Sequence, residues 1–339
     1  MKTRIWQFDE VGGPEKLVLR EREQRSPGPD EVLVRVQSLS LNRADALWLA
    51  NTYTESPKPP TGIGYEVAGI VESVGSGVVT VLPGDRVSNL PNTSLSEYTN
   101  FGETTVLPER ALMKTPNGLS TSDASCFSFA YMTDYFALVE LAGLQAGQVV
   151  VVTAATSTTG LAAIRIAKRL GATVIATTRT PKKRSTLLDS GADHVVTTDE
   201  GNVTEEILEL TSGRGADLVY DCIVGDLLEK LATATRLRGR YIVYGLLAGP
   251  GAFPWFTIFG RGLRFDLHSV FNYTGNTSRG IPANEPAVSR ALEFISSGLA
   301  DGSLHPVPID RIFEGLEKVP EAMRYMLANS ASGKIVVTL

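Results

Sequence analysis

Residues 149–193 read VVVVTAATSTTGLAAIRIAKRLGATVIATTRTPKKRSTLLDSGAD, and their order decides the fold. The apolar run Val149–Val152 enters a turn of small residues. A helix-period stretch from Leu161 to Leu170 follows, then a second apolar run from Thr173 to Ala176. Strand, tight turn, helix and strand make the first βαβ unit of a dinucleotide-binding fold. A helix opening at Gly160 presents backbone N–H groups and a positive dipole end to a pyrophosphate. The segment therefore predicts a bound nicotinamide dinucleotide.

The usual glycine fingerprint of such a turn, G-x-G-x-x-G, reads Ala155, Ser157 and Gly160 here. Ala155 is small enough for the turn, and Thr156, Ser157, Thr158 and Thr159 add hydroxyl donors for phosphate oxygens. Taken without its flanks, the same stretch is an ordinary polar loop. The end of the second strand distinguishes the cofactors. An NAD site carries an acid there for the ribose 2′-hydroxyl, yet no Asp or Glu occurs from Leu161 to Leu188. Thr178 is followed by Arg179, Lys182, Lys183 and Arg184. Guanidinium and ammonium groups suit a 2′-phosphate, so the cluster favours NADPH. Lys182 and Arg184 also fit a solvated helix start.

The chain has 339 residues, 43% hydrophobic and 20% charged, which suits a globular protein of two domains. A net charge of −5 offers no basic face for nucleic acid. Cys126 and Cys222 sit in apolar contexts without metal or disulfide spacing and read as core thiols. The first residues lack an apolar signal core, and no apolar run approaches the ~18 residues of a membrane span. A cytoplasmic protein is expected. Before residue 120 the pattern is β-rich, with strands at Glu31–Leu41 and Glu66–Val74 and a turn at 83–87 feeding another. Asp123 or a nearby hydroxyl residue can cap a helix running through Tyr135 to Leu141. Apolar runs at 194–196, 218–220 and 241–243 continue the parallel sheet, and 333–339 forms a strand returning to the first domain.

Several landmarks in one order carry a resemblance: VGGPEKLVL (11–19), NRAD (42–45), GYEVAGIVESVG (64–75), PGDRV (83–87), AATSTTG (154–160), GADHVV (191–196) and SGKIVV (332–337). The chain resembles the medium-chain dehydrogenase/reductase superfamily, within it the zinc-independent quinone oxidoreductase and enoyl reductase branch. That branch often writes its cofactor turn A-x-x-G-x-x-G; Ala154 and Gly160 match, and Ser157 departs. The resemblance implies an α/β protein with a Rossmann-type doubly wound parallel sheet at 126–267. It implies a β-rich GroES-like catalytic domain from 1–125 and 268–339. Its zinc-dependent members hold the metal with Cys, His and Cys, positions that fall near Asn42, on Tyr65 and near Phe129. None is a good zinc ligand, and 88–110 lacks the cysteines of a structural zinc loop.

The chemistry implied is hydride delivery from NADPH to an electron-poor small molecule, a quinone or an α,β-unsaturated carbonyl. In the branch an Asn and a Tyr line the substrate pocket. Asn42 falls on that Asn and Asp45 completes its motif. Tyr53 falls on the Tyr, with Asn51 and Thr54 replacing the neighbouring Gly and Pro. The expectation is that Tyr53 polarises or protonates, Asn42 orients, and Tyr65 either contacts substrate or fills the space of the ligand histidine. Gly245 and Lys334 complete the expected cofactor contacts, and His268 or Tyr273 can face the nicotinamide. His194 reads as structural, and the aromatic stretch 253–259 as core or subunit interface. Family members pair as homodimers along an edge strand. Two alternatives stay open. One is an enoyl-thioester reductase of a biosynthetic pathway, for which Arg43, Arg261 or Arg264 would form a basic rim. The other is a catalytically weak NADPH-binding protein with a regulatory or structural role.

Overall fold

The strand, turn, helix and strand of residues 149–193 are all present in the computed structural model, which describes residues 2–339. Strands β9 (Val149–Val152) and β10 (Thr173–Thr178) run parallel with Val150 opposite Val174, and the helix Thr158–Arg169 connects them. That helix starts two residues before Gly160, where the sequence pattern had placed its opening. The cause is Ser157, which is extended and accepts the Gly160 N–H on Oγ at 3.0 Å, a hydroxyl N-cap. Leu161, Ile164 and Ile166 lie on its buried side, while Lys168 reaches Asp193 at 2.8 Å. Gly171, at φ +77°, ends the helix in the left-handed conformation that favours glycine.

Four more strands complete this sheet: β11 (His194–Thr197), β12 (Ala216–Asp221), β13 (Thr235–Val243) and β14 (Arg264–Leu267). All pairings are parallel, in the order β11-β10-β9-β12-β13-β14. The chain reverses its direction of winding at β9, and in such sheets ligands bind beyond the carboxyl ends of the strands at that point. Val151, Ile175, Val196, Val219 and Tyr241 join one core cluster with residues of the covering helices. Burial on both faces explains the uninterrupted apolar runs.

This sheet belongs to a unit comprising Ala130–Val270 and Ser289–His305. The sequence reading assigned 289–305 to the other domain. The helix Glu285–Asp301 explains the difference, since Arg290 pairs with Glu140 and Arg169 with Asp301, each at 2.8 Å, and Phe294 packs on Tyr135. The helix expected through 135–141 is Ser128–Tyr135 continued by a π-helical stretch, Phe136–Leu141. Ser120, not Asp123, is the cap upstream, and it caps only the single turn Thr121–Ala124.

The second unit contains the chain up to Phe129, Phe271–Val288 and Pro306–Leu339. Its strands are β1 (Lys2–Phe8), β2 (Val18–Glu23), β3 (Glu31–Ser40), β4 (Thr61–Gly62), β5 (Glu66–Val74), β6 (Arg86–Asn89), β7 (Thr104–Pro108), β8 (Leu112–Lys114), β15 (Ile309–Glu314) and β16 (Lys334–Thr338). A seven-stranded sheet runs β15-β16-β3-β5-β6-β8, with β7 also on β3; β1, β2 and β4 form a smaller one. The expected return of the C-terminal strand is its antiparallel pairing with β3, Val336 opposite Ser40. Ser40 in turn faces Glu66 on β5. These two registers bring Lys334, Asn42 and Glu66 together.

Candidate functional site

The expected cofactor residues of the parallel-sheet unit gather at one end of it. Ala154 follows β9 at φ +44°, and Ser157 N–H donates to its carbonyl at 2.8 Å, closing the turn. The leading amides of a helix have no intrahelical acceptor; here they belong to Thr158 and Thr159. The Gly160 amide is already bonded to Ser157, so it does not lead the anion site as the sequence pattern implied. Glycine at 160 has a steric reason instead, because a Cβ there would stand 2.6 Å from Ala155 Cα. Thr156, Ser157, Thr158 and Thr159 are all half-buried.

Thr178 closes β10, and Arg179 follows it exposed at the strand's carboxyl end. Lys183 is half-buried and ends the short turn Pro181–Lys183; Lys182 is exposed. Arg184 donates to the Val195 carbonyl at 2.7 Å, a structural contact. Gly245, just beyond β13, fits against Cys222, whose Cβ lies 3.0 Å from where a side chain would begin. Asp221, at the end of β12, is fully buried. It accepts from Thr153 and Tyr241, both at 2.7 Å, and from the Ile223 amide. This carboxylate fixes the loop after β12, and the sequence reading did not single it out.

Lys334 is the expected cofactor residue that does not fit. It lies in the other unit at 1% exposure, its amine 2.7 Å from Glu66 Oε2 and 2.6 Å from Asn42 Oδ1. A buried ammonium needs such partners, so Lys334 supports Asn42 and is not a surface cation for phosphate. Glu66 also accepts from Asn42 Nδ2 at 3.2 Å and Ser40 Oγ at 3.1 Å. An amide nitrogen carries two N–H donors, so this bond leaves half-buried Asn42 one N–H for a substrate oxygen.

Tyr65 is held by its backbone. Its N–H donates to Asp45 Oδ1 at 3.0 Å, and its carbonyl accepts from Asn89 and Asn100 at 2.6 and 2.7 Å. Asp45 also accepts the Asn42 N–H at 2.7 Å; it is wholly buried, and burial pushes its carboxyl up to about 7. Its role is to fix backbone. The Tyr65 hydroxyl is buried and meets no hydrogen-bond partner by geometry among the described residues, and the ring of half-buried Tyr53 stands edge-on to Tyr65 at 6.2 Å. Burial drives the Tyr65 phenol well above its ordinary value and Tyr53 up to about 12. Both are therefore protonated at neutral pH.

The structure thus brings Asn42, Tyr53 and Tyr65 into one neighbourhood. Glu66, Asn89 and Asn100 are the partners the sequence reading missed. Glu66 was legible only as the acid of the G-Y-E motif, since its lysine lies 268 residues away. At the three positions where zinc-dependent relatives carry ligands stand Asn42, Tyr65 and Phe129. The rings of Tyr65 and Phe129 pack at 5.8 Å, and Phe271 adds a third at 6.0 Å. This donor set does not fit a zinc ion.

Other candidates fall elsewhere. Cys126 and Cys222 are buried, and burial raises both thiols, Cys222 to about 12. His268 is 7% exposed with Nε2 against the Thr133 carbonyl at 2.9 Å. Tyr273 is half-buried in the β-rich unit. Of the arginines considered for a thioester rim, Arg43 bonds Asn329 and Arg261 donates to the Thr235 carbonyl. Arg264 opens β14, at the end of the sheet opposite the cofactor turn. Phe253 packs on Phe265 at 5.0 Å, whereas Trp255, Phe256 and Phe259 are 71%, 95% and 89% exposed. Among the described residues no helix is long and apolar enough to cross a membrane.

Comparison with known proteins agrees with this layout. Residues 28–119 match the alcohol dehydrogenase GroES-like domain, and 158–283 match a family described as zinc-binding dehydrogenase. A quinone oxidoreductase-like protein 2 homolog of Nematostella vectensis is 31% identical over 332 residues, 97% of this chain and 87% of that protein. A crystallised quinone oxidoreductase of Pseudomonas syringae superposes with a TM-score of 0.88 at 26% identity, covering 99% of this chain and 100% of the other. Escherichia coli quinone oxidoreductase, crystallised with NADPH, superposes at 0.87 with 25% identity over 99% of this chain and 100% of its own.

Proposed function

This chain belongs to the quinone oxidoreductase-like branch of the medium-chain dehydrogenases/reductases and is an oxidoreductase, and from that premise we propose that it reduces a quinone or an α,β-unsaturated carbonyl compound with NADPH and without a metal. The observation that carries the cofactor reading is the carboxyl end of β10. An exposed Arg179 stands where an NAD site would have its acid, with Lys183 four residues on. Arg and Lys donate charge-assisted hydrogen bonds to a 2′-phosphate, whereas a carboxylate there would repel it. The amides of Thr158 and Thr159 and the hydroxyls of the 156–159 turn would hold the pyrophosphate. The NADPH relative supports the same reading.

When bound, the dinucleotide supplies the hydride. The protein's own residues orient the acceptor and furnish a proton. Asn42 turns its remaining amide N–H to the carbonyl or quinone oxygen, held by Lys334 and Glu66. Tyr53, protonated throughout the neutral range, donates to the oxygen or carbon that gains charge as hydride arrives. No Lewis acid enters this scheme, because both acceptor classes are already electron-poor.

A second copy of the chain is the partner that fits the exposed aromatics. β14 is an edge strand, and Trp255, Phe256 and Phe259 lie on a helix that enters it. Leu267, at the end of β14, is 74% exposed. A homodimer would cover this surface.

The test is NADPH consumption against a panel of quinones, enones and enoyl thioesters, with NADH in parallel. Turnover of quinones or enones by NADPH, with little by NADH, is expected. Equal use of NADH would overturn the cofactor reading, and selective turnover of thioesters would redirect the substrate. Binding of NADPH without turnover across the panel would assign a non-catalytic role.

A further inference from the structure

A cavity of the parallel-sheet unit lies at the opposite end from the cofactor turn. It measures 580 Å³, and its wall includes Arg236, Arg238, Arg240 and Arg264, with Asp217 and Gly262 between them. Asp217 lies early on β12, Arg236 and Arg238 lie early in β13, Arg264 starts β14, and Arg240 stands opposite it in the register. The strands run four to nine residues, so at roughly 3.3 Å per residue the cavity stands well over 10 Å from the phosphate-binding turn.

The arginines converge because β13 leaves the ladder. Ala216 pairs with Thr235, yet Leu218 pairs with Arg240, so two steps on β12 match five on β13. Arg236 to Gly239 bulge outwards as a result. Arg238 adopts φ +57°, a conformation that costs a side-chain-bearing residue about 1 kcal/mol or more. Four guanidinium groups face a single lining carboxylate in a chain whose net charge is −5. That carboxylate is fully engaged. Asp217 accepts from Arg236 at 2.6 Å, from Arg214 at 2.8 Å and from the Val149 amide at 2.8 Å. Arg240 is bonded to Asp266 at 2.7 Å. In the single chain Arg238 and Arg264 are exposed and make no side-chain hydrogen bond or ion pair with any described residue.

We propose that this cavity is a second anion site, which binds a ligand carrying two or more linked phosphate groups. Arg238 and Arg264 supply the open guanidinium forks, while Arg236 and Arg240, held by Asp217 and Asp266, form the fixed wall. Planar forks bind phosphate oxygens in pairs, and several at once favour a polyphosphate over a single carboxylate. The volume lies within the range of small-molecule sites. A concave wall of this size selects a small anion over an extended acidic protein surface.

The experiment is calorimetric titration of the full-length protein with inorganic pyrophosphate. ADP and orthophosphate are run in parallel, and the titrations are repeated on Arg238→Ala/Arg264→Ala and Arg238→Gln/Arg264→Gln. Saturable pyrophosphate binding is expected, unaffected by saturating dinucleotide and at least tenfold weaker in both double variants. Dinucleotide affinity and melting temperature should match wild type in both. ADP binding tighter than pyrophosphate would identify a nucleotide as the source, and the reverse order a free polyphosphate; either supports the site. Orthophosphate binding as well as pyrophosphate would overturn the linked-phosphate assignment. No binding would overturn the site, as would binding displaced by dinucleotide and indifferent to the variants. Sedimentation at equal concentration adds a further arm: if the double variants dissociate an oligomer without added anion, the arginines serve a subunit contact and the proposal fails. None of these readouts depends on the reaction catalysed.

Discussion

Lys334 and Glu66 are held out of water with side-chain exposures of 2% and 1%, so each depends on the other for its charge. Removing one member of such a pair strands a buried ion and costs about 3–5 kcal/mol. Lys334→Met should lower folding stability by about that amount in urea titration, and Lys334→Met/Glu66→Gln should recover most of it. A Lys334→Met protein of wild-type stability would contradict the ion-pair reading. Tyr53→Phe tests the proton donor, since it keeps the ring against Tyr65 and deletes only the hydroxyl. It should reduce kcat by about 10²-fold or more with KM little changed, and unaltered kcat would remove Tyr53 from the mechanism. His268 reports through pH. Burial lowers its imidazole from the ordinary 6.5 to about 4. The unfolded chain therefore takes up a proton first as pH falls, and stability declines between pH 6.5 and 4. At about 1.4 kcal/mol per unit the loss is about 3 kcal/mol. Denaturant melts should show that decline, and His268→Gln should flatten it.

The βαβ unit was readable because its signals are local: apolar runs, a helical period and a small-residue turn within 45 residues. The strands at 149, 173, 194, 218 and 241 all appear in the sheet for that reason. The helix start was misplaced by two residues, because the pattern shows where apolar residues recur and not which hydroxyl closes the first turn. Lys334 was misread for the opposite reason. Its neighbours in space come from β3 and β5, and only strand register brings them to it. At the end of β10 the prediction concerns charge. Arg179→Ala removes a charge-assisted bond worth about 1.5–3 kcal/mol, so KM for NADPH should rise about 10- to 100-fold while KM for NADH stays within twofold. Equal changes for both cofactors would place Arg179 outside 2′-phosphate recognition.

At the scale of the whole molecule the prediction concerns association. Phe256 and Phe259, 95% and 89% exposed, are large apolar side chains beside an open sheet edge. Such patches mark interaction surfaces. Sedimentation velocity should find a dimer at micromolar concentration, and Phe256→Ser/Phe259→Ser should shift it to monomer with its melting transition still cooperative. A wild-type monomer would leave the patch without this partner. The change from β-rich sequence before residue 120 to βαβ alternation from Val149 is local and readable, whereas the contact boundary falls between Phe129 and Ala130. The place of the helix 285–301 was not legible, since salt bridges to Glu140 and Arg169 decide its allegiance and their partners lie far away in sequence.

The span between Glu66 and Lys334 carries one more implication, for the order of folding. The 268-position separation between them spans every residue of the parallel-sheet unit. Closing a floppy loop of that length is entropically costly, and a loop whose interior has already condensed has less freedom to lose. The inserted unit should therefore fold ahead of its host. Glu66 would then remain hydrated, and its bonds to Asn42 and Lys334 unformed, until the chain has come back round to β16.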